Sequence, residues 1–431
     1  MLSVLASVWA LLLGMMLLQV GNGMQATLMG IRGNIEGFST FDLSLITSAY
    51  FVGFLGGSRL TPEFIRRVGH VRVFAALGSF LSAAVILYPA MTDPYSWILL
   101  RVLVGFCLSG AYVTAESWLN NAATNDTRGK ALSLYMIVQM LGIVAAQGLL
   151  NVADPAGWLL FVIPSVLVSL SFAPILLSIT PTPAFETTKP MSLRELYHNS
   201  PLAFVGMFLL GGVFSAQFGM SAVYATLAGF SVAEVSTFVA AIFVGSLILQ
   251  YPIGWLSDRM DRRVLVLGAA VLGLFGAIVG LTIGSSFTVV LAAGFLVGGV
   301  SNPLYSLLIA YLNDYLETDD MAAASGGLLF VNGLGAIAGP LVTGWIMDAI
   351  GPGGFWLFLA VLLASIAVYT AFRMTQRESS YAQDEYEPVS YAPVVPGVSP
   401  VAIETAQEIY IDNAAEEEAD GDGHASVAKS S

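Results

Sequence analysis

Twelve apolar runs, each near the ~20 residues that an α-helix needs to cross a hydrocarbon layer, follow one another along this chain of 431 residues. They cover approximately 5–29, 43–60, 73–91, 97–119, 131–150, 158–179, 202–227, 235–256, 264–283, 288–312, 324–347 and 355–372. In lipid every backbone N–H and C=O must be satisfied within the protein, so such runs have to be helical. The reading is an all-α polytopic membrane protein with 12 transmembrane helices. Only 10% of residues are charged and 56% are hydrophobic, against roughly 25% charged in soluble domains, which excludes an ordinary soluble enzyme. The first run has no basic residue before it and no cleavage site before Gln25, so it reads as helix 1 rather than a signal peptide.

Charge placement orients the chain. Numbering loops alternately, one side collects Arg59, Arg66, Arg67, Arg72, Arg128, Lys130, Lys189, Arg194, Arg259, Arg262, Arg263, Arg373, Arg377 and Lys429, and the other side holds only Arg32. Basic residues stay on the cytoplasmic side of short loops, so both termini are expected in the cytoplasm. The net charge of -13 is mostly terminal: from Met374 onward there are 12 acidic and 2 basic residues. That Pro/Ser/Ala-rich segment, 374–431, has too few large apolar residues for a core and is expected to be disordered and solvated. The alternative is a docking segment around 403–411. The single Cys107 excludes an internal disulfide and a cysteine metal cluster.

The chain also repeats itself. Phe51-Val52-Gly53 recurs as Phe243-Val244-Gly245 at an offset of 192, as do Gly14 with Gly206 and Gln25 with Gln217, while Leu119-Asn120 and Gly142 recur as Leu312-Asn313 and Gly335 at 193. A near-constant offset from helix 1 to helix 5 implies two pseudo-symmetric six-helix bundles, 1–179 and 201–373, joined by a central cytoplasmic loop, 180–200. Parallel six-helix repeats are one transporter architecture.

Polar side chains are expensive in hydrocarbon, so their positions mark the helices that see water or solute. Helix 1 carries Gln19, Asn22 and Gln25; helix 4 Arg101 and Glu116; helix 5 Gln139 and Gln147; helices 7, 8, 10 and 11 carry Gln217, Gln250, Asn302 and Asn332. Helices 3, 6, 9 and 12 have none, as expected if those four face lipid and the others line a central path. With Tyr224 added, these residues other than Glu116 form the candidate substrate path. The amides share helix faces, but any one of them could instead be a helix-to-helix hydrogen bond. Arg101 either snorkels to the surface or faces inward as the path's only fixed positive charge, holding an anion or responding to a proton. Glu116 either pairs with Arg66, Arg67 or Arg72 in a gate or serves as a proton site. Glycines at four-residue spacing, such as Gly276 and Gly280, indicate close packing, and Pro303 and Pro340 free carbonyls near Gly299 and Ala336.

Residues 245–263, GSLILQYPIGWLSDRMDRR, resemble the signature loop of the major facilitator superfamily. Gly245, Gly254, Asp258, Arg259, Arg262 and Arg263 fit it, with Asp261 at the usual Gly. The 2–3 loop keeps Gly53, Arg67 and Gly69 but has Pro62 for the second Gly and Arg66 for the Asp. Arg101 with Gly105 is similar to the family's helix-4 Arg motif, associated with proton coupling. Gly335 to Pro340 is similar to its Gly-Pro motif, which is diagnostic of antiporters on helix 5, where Ala146-Gln147 stand instead. The runs TAESWLN (114–120) and RVGH (67–70) resemble the YcaD-like bacterial branch. The resemblance implies a gate of Gly53, Arg67, Gly69, Gly245, Gly254, Asp258, Arg259, Arg262 and Arg263, with Asp258 meeting the start of helix 5; the position of Glu116 beside the 2–3 loop adds it to that gate.

A secondary carrier of a small solute in a bacterial inner membrane is therefore expected, working as a monomer by alternating access. A neutral hydrogen-bonding solute such as a sugar suits the amide-rich path, and a proton-coupled drug or metabolite efflux antiporter is the alternative. No cofactor, metal or nucleic-acid partner is expected; the partners are the solute, protons if coupled, and the lipid bilayer. An enzyme would need a catalytic cluster, whereas His70, His198 and His424 are scattered, and a sensor would need an output domain.

Overall fold

The computed structural model describes residues 2–122, 125–177, 191–284, 286–316, 318–376 and 401–402. Its helices are α1 (Leu2–Ile35), α2 (Thr40–Val68), α3 (His70–Leu87), α4 (Pro94–Ala122), α5 (Asn125–Leu149), α6 (Leu159–Leu176), α7 (Leu193–Asn199), α8 (Pro201–Ser215), α9 (Ser221–Leu227), α10 (Val232–Ser257), α11 (Arg262–Thr282), α12 (Phe287–Asn313), α13 (Thr318–Ile350) and α14 (Gly354–Met374). A π-helical turn, Ala216–Met220, joins α8 to α9, and a 3₁₀ turn, Tyr88–Ala90, follows α3. Eleven spans among the described residues are long and apolar enough to cross a membrane. The 29-residue α2 is of comparable length but carries Arg59, Glu63, Arg66 and Arg67 toward its end.

Local chemistry at 192-residue spacing explains where equivalent helices begin. Gly37 and Gly229 both take positive φ, 78° and 84°, a conformation that costs other residues a Cβ clash. Two residues later Ser39 and Ser231 cap α2 and α10, each in a reciprocal capping box, with Asp42 and Glu234. At the opposite ends the symmetry breaks: Gly69 turns the chain at φ 85°, whereas Asp261 caps α11 at φ -55° by accepting from the Arg263 amide. Aspartate replaces the signature glycine here because a cap, not a left-handed turn, makes this corner.

α1 packs on α5 and α6, α2 on α4, and α3 on α4 and α6; likewise α8 packs on α13 and α14, α10 on α12, and α11 on α12 and α14. Glycine permits the tightest crossings. A Cβ on Gly53 would fall on the Val102 carbonyl, and one on Gly245 on that of Phe295. Gly142 meets Met16 of α1 just as Gly335 meets Phe208 of α8. Gly53 and Gly245, expected in the gate, are thus buried at α2–α4 and α10–α12 crossings. The two helix sets meet mainly through α2 with α13, α5 with α10, and α1 with α9.

Two further expectations change. The stretch read as a central loop contains α7, whose Ser192–Glu195 capping box closes the helix start. The Ser192 hydroxyl and amide hold the Glu195 carboxyl below its usual range, and Leu196 is buried beside Gly327 of α13. The exceptional Arg32 is not a surface charge: it ends α1 buried, paired with Glu36 at 2.5 Å and donating to the Pro155 and Ala156 carbonyls. The predicted disordered tail lies outside the described residues except for 374–376 and 401–402.

Overpacking a close crossing costs about 1–3 kcal/mol. Gly245→Leu is therefore expected to lower the thermal unfolding midpoint of the purified protein clearly, while Gly148→Leu, with nothing within 4 Å of its Cβ position, leaves it nearly unchanged.

Candidate functional site

Where the two helix sets face each other they line a central cavity. Its lining comes from α1, α2, α4, α5, α8, the π-turn, α10 and α13; α3, α6, α11 and α14 contribute nothing to it. These four have no amide or acid in their expected spans; α12, which carries Asn302, stays out of the cavity as well.

One wall is polar. Gln19 and Asn22 stand one turn apart on α1, so both point at α4 and α5. Gln19 Nε2 donates to Gln139 Oε1 at 2.8 Å, and the Tyr112 hydroxyl donates to Gln19 Oε1 at 2.7 Å. Asn22 Nδ2 donates to the Tyr112 hydroxyl at 3.3 Å. Asn22 Oδ1 and Gln139 Nε2 have no partner, so this wall keeps one acceptor and one donor in reserve. Unsatisfied buried groups of this kind favour a ligand that completes them. The opposite wall is aromatic: Phe214 and Phe218 stack at 5.9 Å, Phe51 meets Phe218 edge-on at 6.3 Å, and Phe243 completes the surface. Asn332 also lines the cavity and donates to the Met207 carbonyl at 3.1 Å.

Arg101 is buried, 1% exposed, so it faces inward rather than snorkelling. Its Nη1 donates to Gln25 Oε1 at 2.6 Å, and its guanidinium lies 4.9 Å from the centre of the Tyr50 ring, which lines the cavity. Gln147 joins α5 to α1, accepting from Thr27 at 3.0 Å and donating to the Gly23 carbonyl at 3.4 Å.

Four expected path residues, Gln217, Tyr224, Gln250 and Asn302, lie elsewhere. Gln217 sits in the π-turn and donates to Ser301 of α12 at 2.7 Å, because the wider π register turns Phe218 to the cavity and Gln217 away from it. Tyr224 packs among Phe238, Phe355 and Trp356, stacked on Phe355 at 5.0 Å. Gln250 and Asn302 line a second cleft between α5 and α10 with Gly254 and Asp258; Met140 lines both spaces.

Among the gate residues, Arg262 reaches Asp314 and the Ala310 carbonyl, Arg263 pairs with Asp261 at 2.7 Å, and Arg259 lies over the Trp255 ring. Asp258 faces Ser133 across the cleft, two turns into α5. Arg66 and Arg67 pair with Glu63 on their own helix instead of reaching Glu116. Glu116 is buried and accepts from the Tyr135 hydroxyl at 2.8 Å. Gly69 makes the α2–α3 turn. The aromatic wall, Tyr50 and Tyr112 lie outside the set of amides and charges that stand out in the apolar runs. Tyr112 lies eleven residues from Arg101, one helix face, and Phe51, Phe54 and Ser58 run along one face of α2, which was the available signal.

The family model of the Major Facilitator Superfamily matches residues 11–243 and 204–403, and the chain belongs to that superfamily of membrane transporters. An uncharacterized MFS-type transporter of Yersinia pestis (strain Pestoides F) is 26% identical over 383 residues, 88% of this chain and 97% of its own. The uncharacterized transporter YcaD of Escherichia fergusonii is 26% identical over 79% of this chain and 89% of its own. Among solved structures, a mutant of the nucleoside transporter NupG superposes with a TM-score of 0.74 at 15% identity, covering 85% of this chain and 100% of that one. A bacterial homologue of the human lysosomal transporter Spinster, inward-facing and unoccupied, gives 0.66 at 15% identity over 94% of this chain and 97% of that one. At such identities these two likenesses concern the fold alone.

Removing the Tyr112 hydroxyl takes away the short donor to Gln19 Oε1 and leaves Asn22 Nδ2 with only the 3.4 Å contact to Gln19 Oε1. Tyr112→Phe is expected to destabilise the protein by about 1–3 kcal/mol, measured as a lowered unfolding midpoint; an unchanged midpoint would show the polar wall to be wet and unstrained.

Proposed function

We propose that the chain carries a small amphipathic organic solute across a bacterial cytoplasmic membrane by alternating access. Two six-helix units, 1–179 and 201–373, rock about the central cavity, giving twelve spans once α2 joins the eleven apolar ones. The loop bases put both termini in the cytoplasm, with the tail 374–431 beside them, and the chain works as a monomer and not as an enzyme. The observation that carries the reading is the cavity itself, amide-lined on one unit and phenylalanine-lined on the other. A sugar alone suits it poorly, because hydroxyls turned to Phe214, Phe218 and Phe243 would go unpaired.

On this reading the structure is an inward-open state. Near the Thr40 end of α2 the units touch closely: Asn151 donates to Ser236 at 3.0 Å, Gly30 meets Ala222, and a Cβ on Gly344 would lie 2.5 Å from the Ser44 Cβ. Toward the other end the α5–α10 cleft is open. Arg59, Asp258, Arg259, Arg262 and Arg263 then form the cytoplasmic latch, which closes as Asp258 meets the start of α5. Arg59, Asp258 and Arg259 are exposed, and breaking and remaking contacts of such rim residues costs little, which suits a switch.

Oxidising the pair Asn151→Cys and Ser236→Cys is expected to halt solute flux in proteoliposomes reversibly, since Cys107 is buried and the new bond holds that end shut. Undiminished flux with the bond formed would overturn the mechanism. Arg101→Ala is expected to abolish transport while the protein still inserts. Proton coupling has one foothold, the buried Glu116 under Tyr135: if flux follows a pH gradient, Glu116→Gln is expected to remove that dependence and leave exchange intact.

A further inference from the structure

Behind Tyr50 lies a cluster of donors that lacks an acceptor. Gln25 Oε1 must face Arg101 Nη1, which leaves Gln25 Nε2 as a donor, and that atom has no partner. Arg101 Nε has none either. The Tyr88 hydroxyl oxygen faces the N–H groups of both but makes no hydrogen bond of normal length to either, and its own proton has no acceptor. All three side chains are at most 1% exposed. Trp97, donating to the Tyr88 carbonyl at 3.2 Å, closes the cluster on its outer side.

Among the described residues no carboxylate pairs with the guanidinium. The described acids of the first unit near that end are engaged elsewhere: Glu36 with Arg32, Asp42 with the Ser39 cap, Asp93 with the Ser96 amide and Asp154 with the Ala156 amide. Glu116 lies fifteen residues along α4, about 22 Å away at 1.5 Å per residue. A cation held at membrane depth without a counter-charge marks a functional site, and three convergent donors specify what is missing: a compact anion with several lone pairs. The second unit has no such cluster, because the equivalent Gln217 donates to Ser301 and the Val297 carbonyl.

We propose that Arg101, Gln25 and Tyr88 form an anion subsite for a single acid group of the transported solute. The proposal rests on the transporter reading and names its substrate class: an amphipathic monoanion with its apolar body on Phe214 and Phe218. Tyr50, shared between cavity and guanidinium, is the side chain the acid group displaces. Asn22, one turn from Gln25 on the same face, meets the neutral polar part.

The test is thermal unfolding of the purified full chain in chloride-free buffer at pH 7.5, titrated with benzoate, with the shape-matched neutral benzamide, or with chloride. Benzoate is expected to raise the midpoint saturably, benzamide and chloride at equal concentration not to. Arg101→Gln should abolish the benzoate shift, Arg101→Lys should retain a weakened one, and Tyr88→Phe should weaken apparent benzoate affinity at least tenfold. Equal shifts from benzoate and benzamide, a benzoate shift surviving in Arg101→Gln, or no shift at all would overturn the subsite. A shift from chloride alone would assign the cluster to an inorganic ion and overturn the substrate class. Should Arg101→Gln not fold, the Lys and Phe variants carry the same decision. Loss of the subsite with the Asn151–Ser236 cross-link still blocking flux leaves the transporter reading standing; flux unaffected by that cross-link refutes the reading itself.

Discussion

A polar side chain at membrane depth has to be turned toward the protein's own interior, and the rest of this structure follows from that constraint. The chain meets it by gathering Gln19, Asn22, Tyr112 and Gln139 on one wall and closing them into a hydrogen-bonded set. The helices with nothing polar to hide sit away from the cavity. Close packing makes the arrangement rigid within each unit: Gly53 and Gly245 bring backbones together at equivalent crossings. The surfaces between units hold fewer contacts than those within them.

The two units share a plan and divide the chemistry. Matching left-handed glycines, capping boxes and glycine crossings show that both halves are built by the same local instructions. Yet amides and the buried Arg101 belong to the first unit, and the phenylalanines mostly to the second. That division turns a symmetric scaffold into a cavity with a polar side and an apolar side. Asn332, equivalent to Gln139, shows how the division is softened: it lines the cavity but spends its amide on the Met207 carbonyl.

Helices, their order and the offset of the repeat were legible because hydrophobic length and turn chemistry are local properties. Gln19, Asn22, Gln139 and Asn332 were legible as site residues because amides are conspicuous in apolar runs. Phenylalanines are not, since the same residue serves lipid and cavity equally well and only rotation about the helix axis decides. Gln217 was misplaced because the π-turn changes that rotation without leaving a signature in residue type. Tyr224 was misplaced because a stacked neighbour, Phe355, arrives from more than a hundred residues away. Whether Arg101 snorkels or turns inward likewise depends on Gln25 and Tyr50, contacts that only the fold brings together.

The central claim is that the units rock, opening one end as the other closes. Spin-label distances in the reconstituted full chain address it most directly, with one pair at Tyr95 and Ile283 and another at Val68 and Met260, all exposed positions at opposite helix ends. The account predicts two distance populations in each pair, the long distance at one end occurring with the short distance at the other, and a solute that shifts both together. A single fixed distance at each end under all conditions, or two ends that widen in unison, would contradict it.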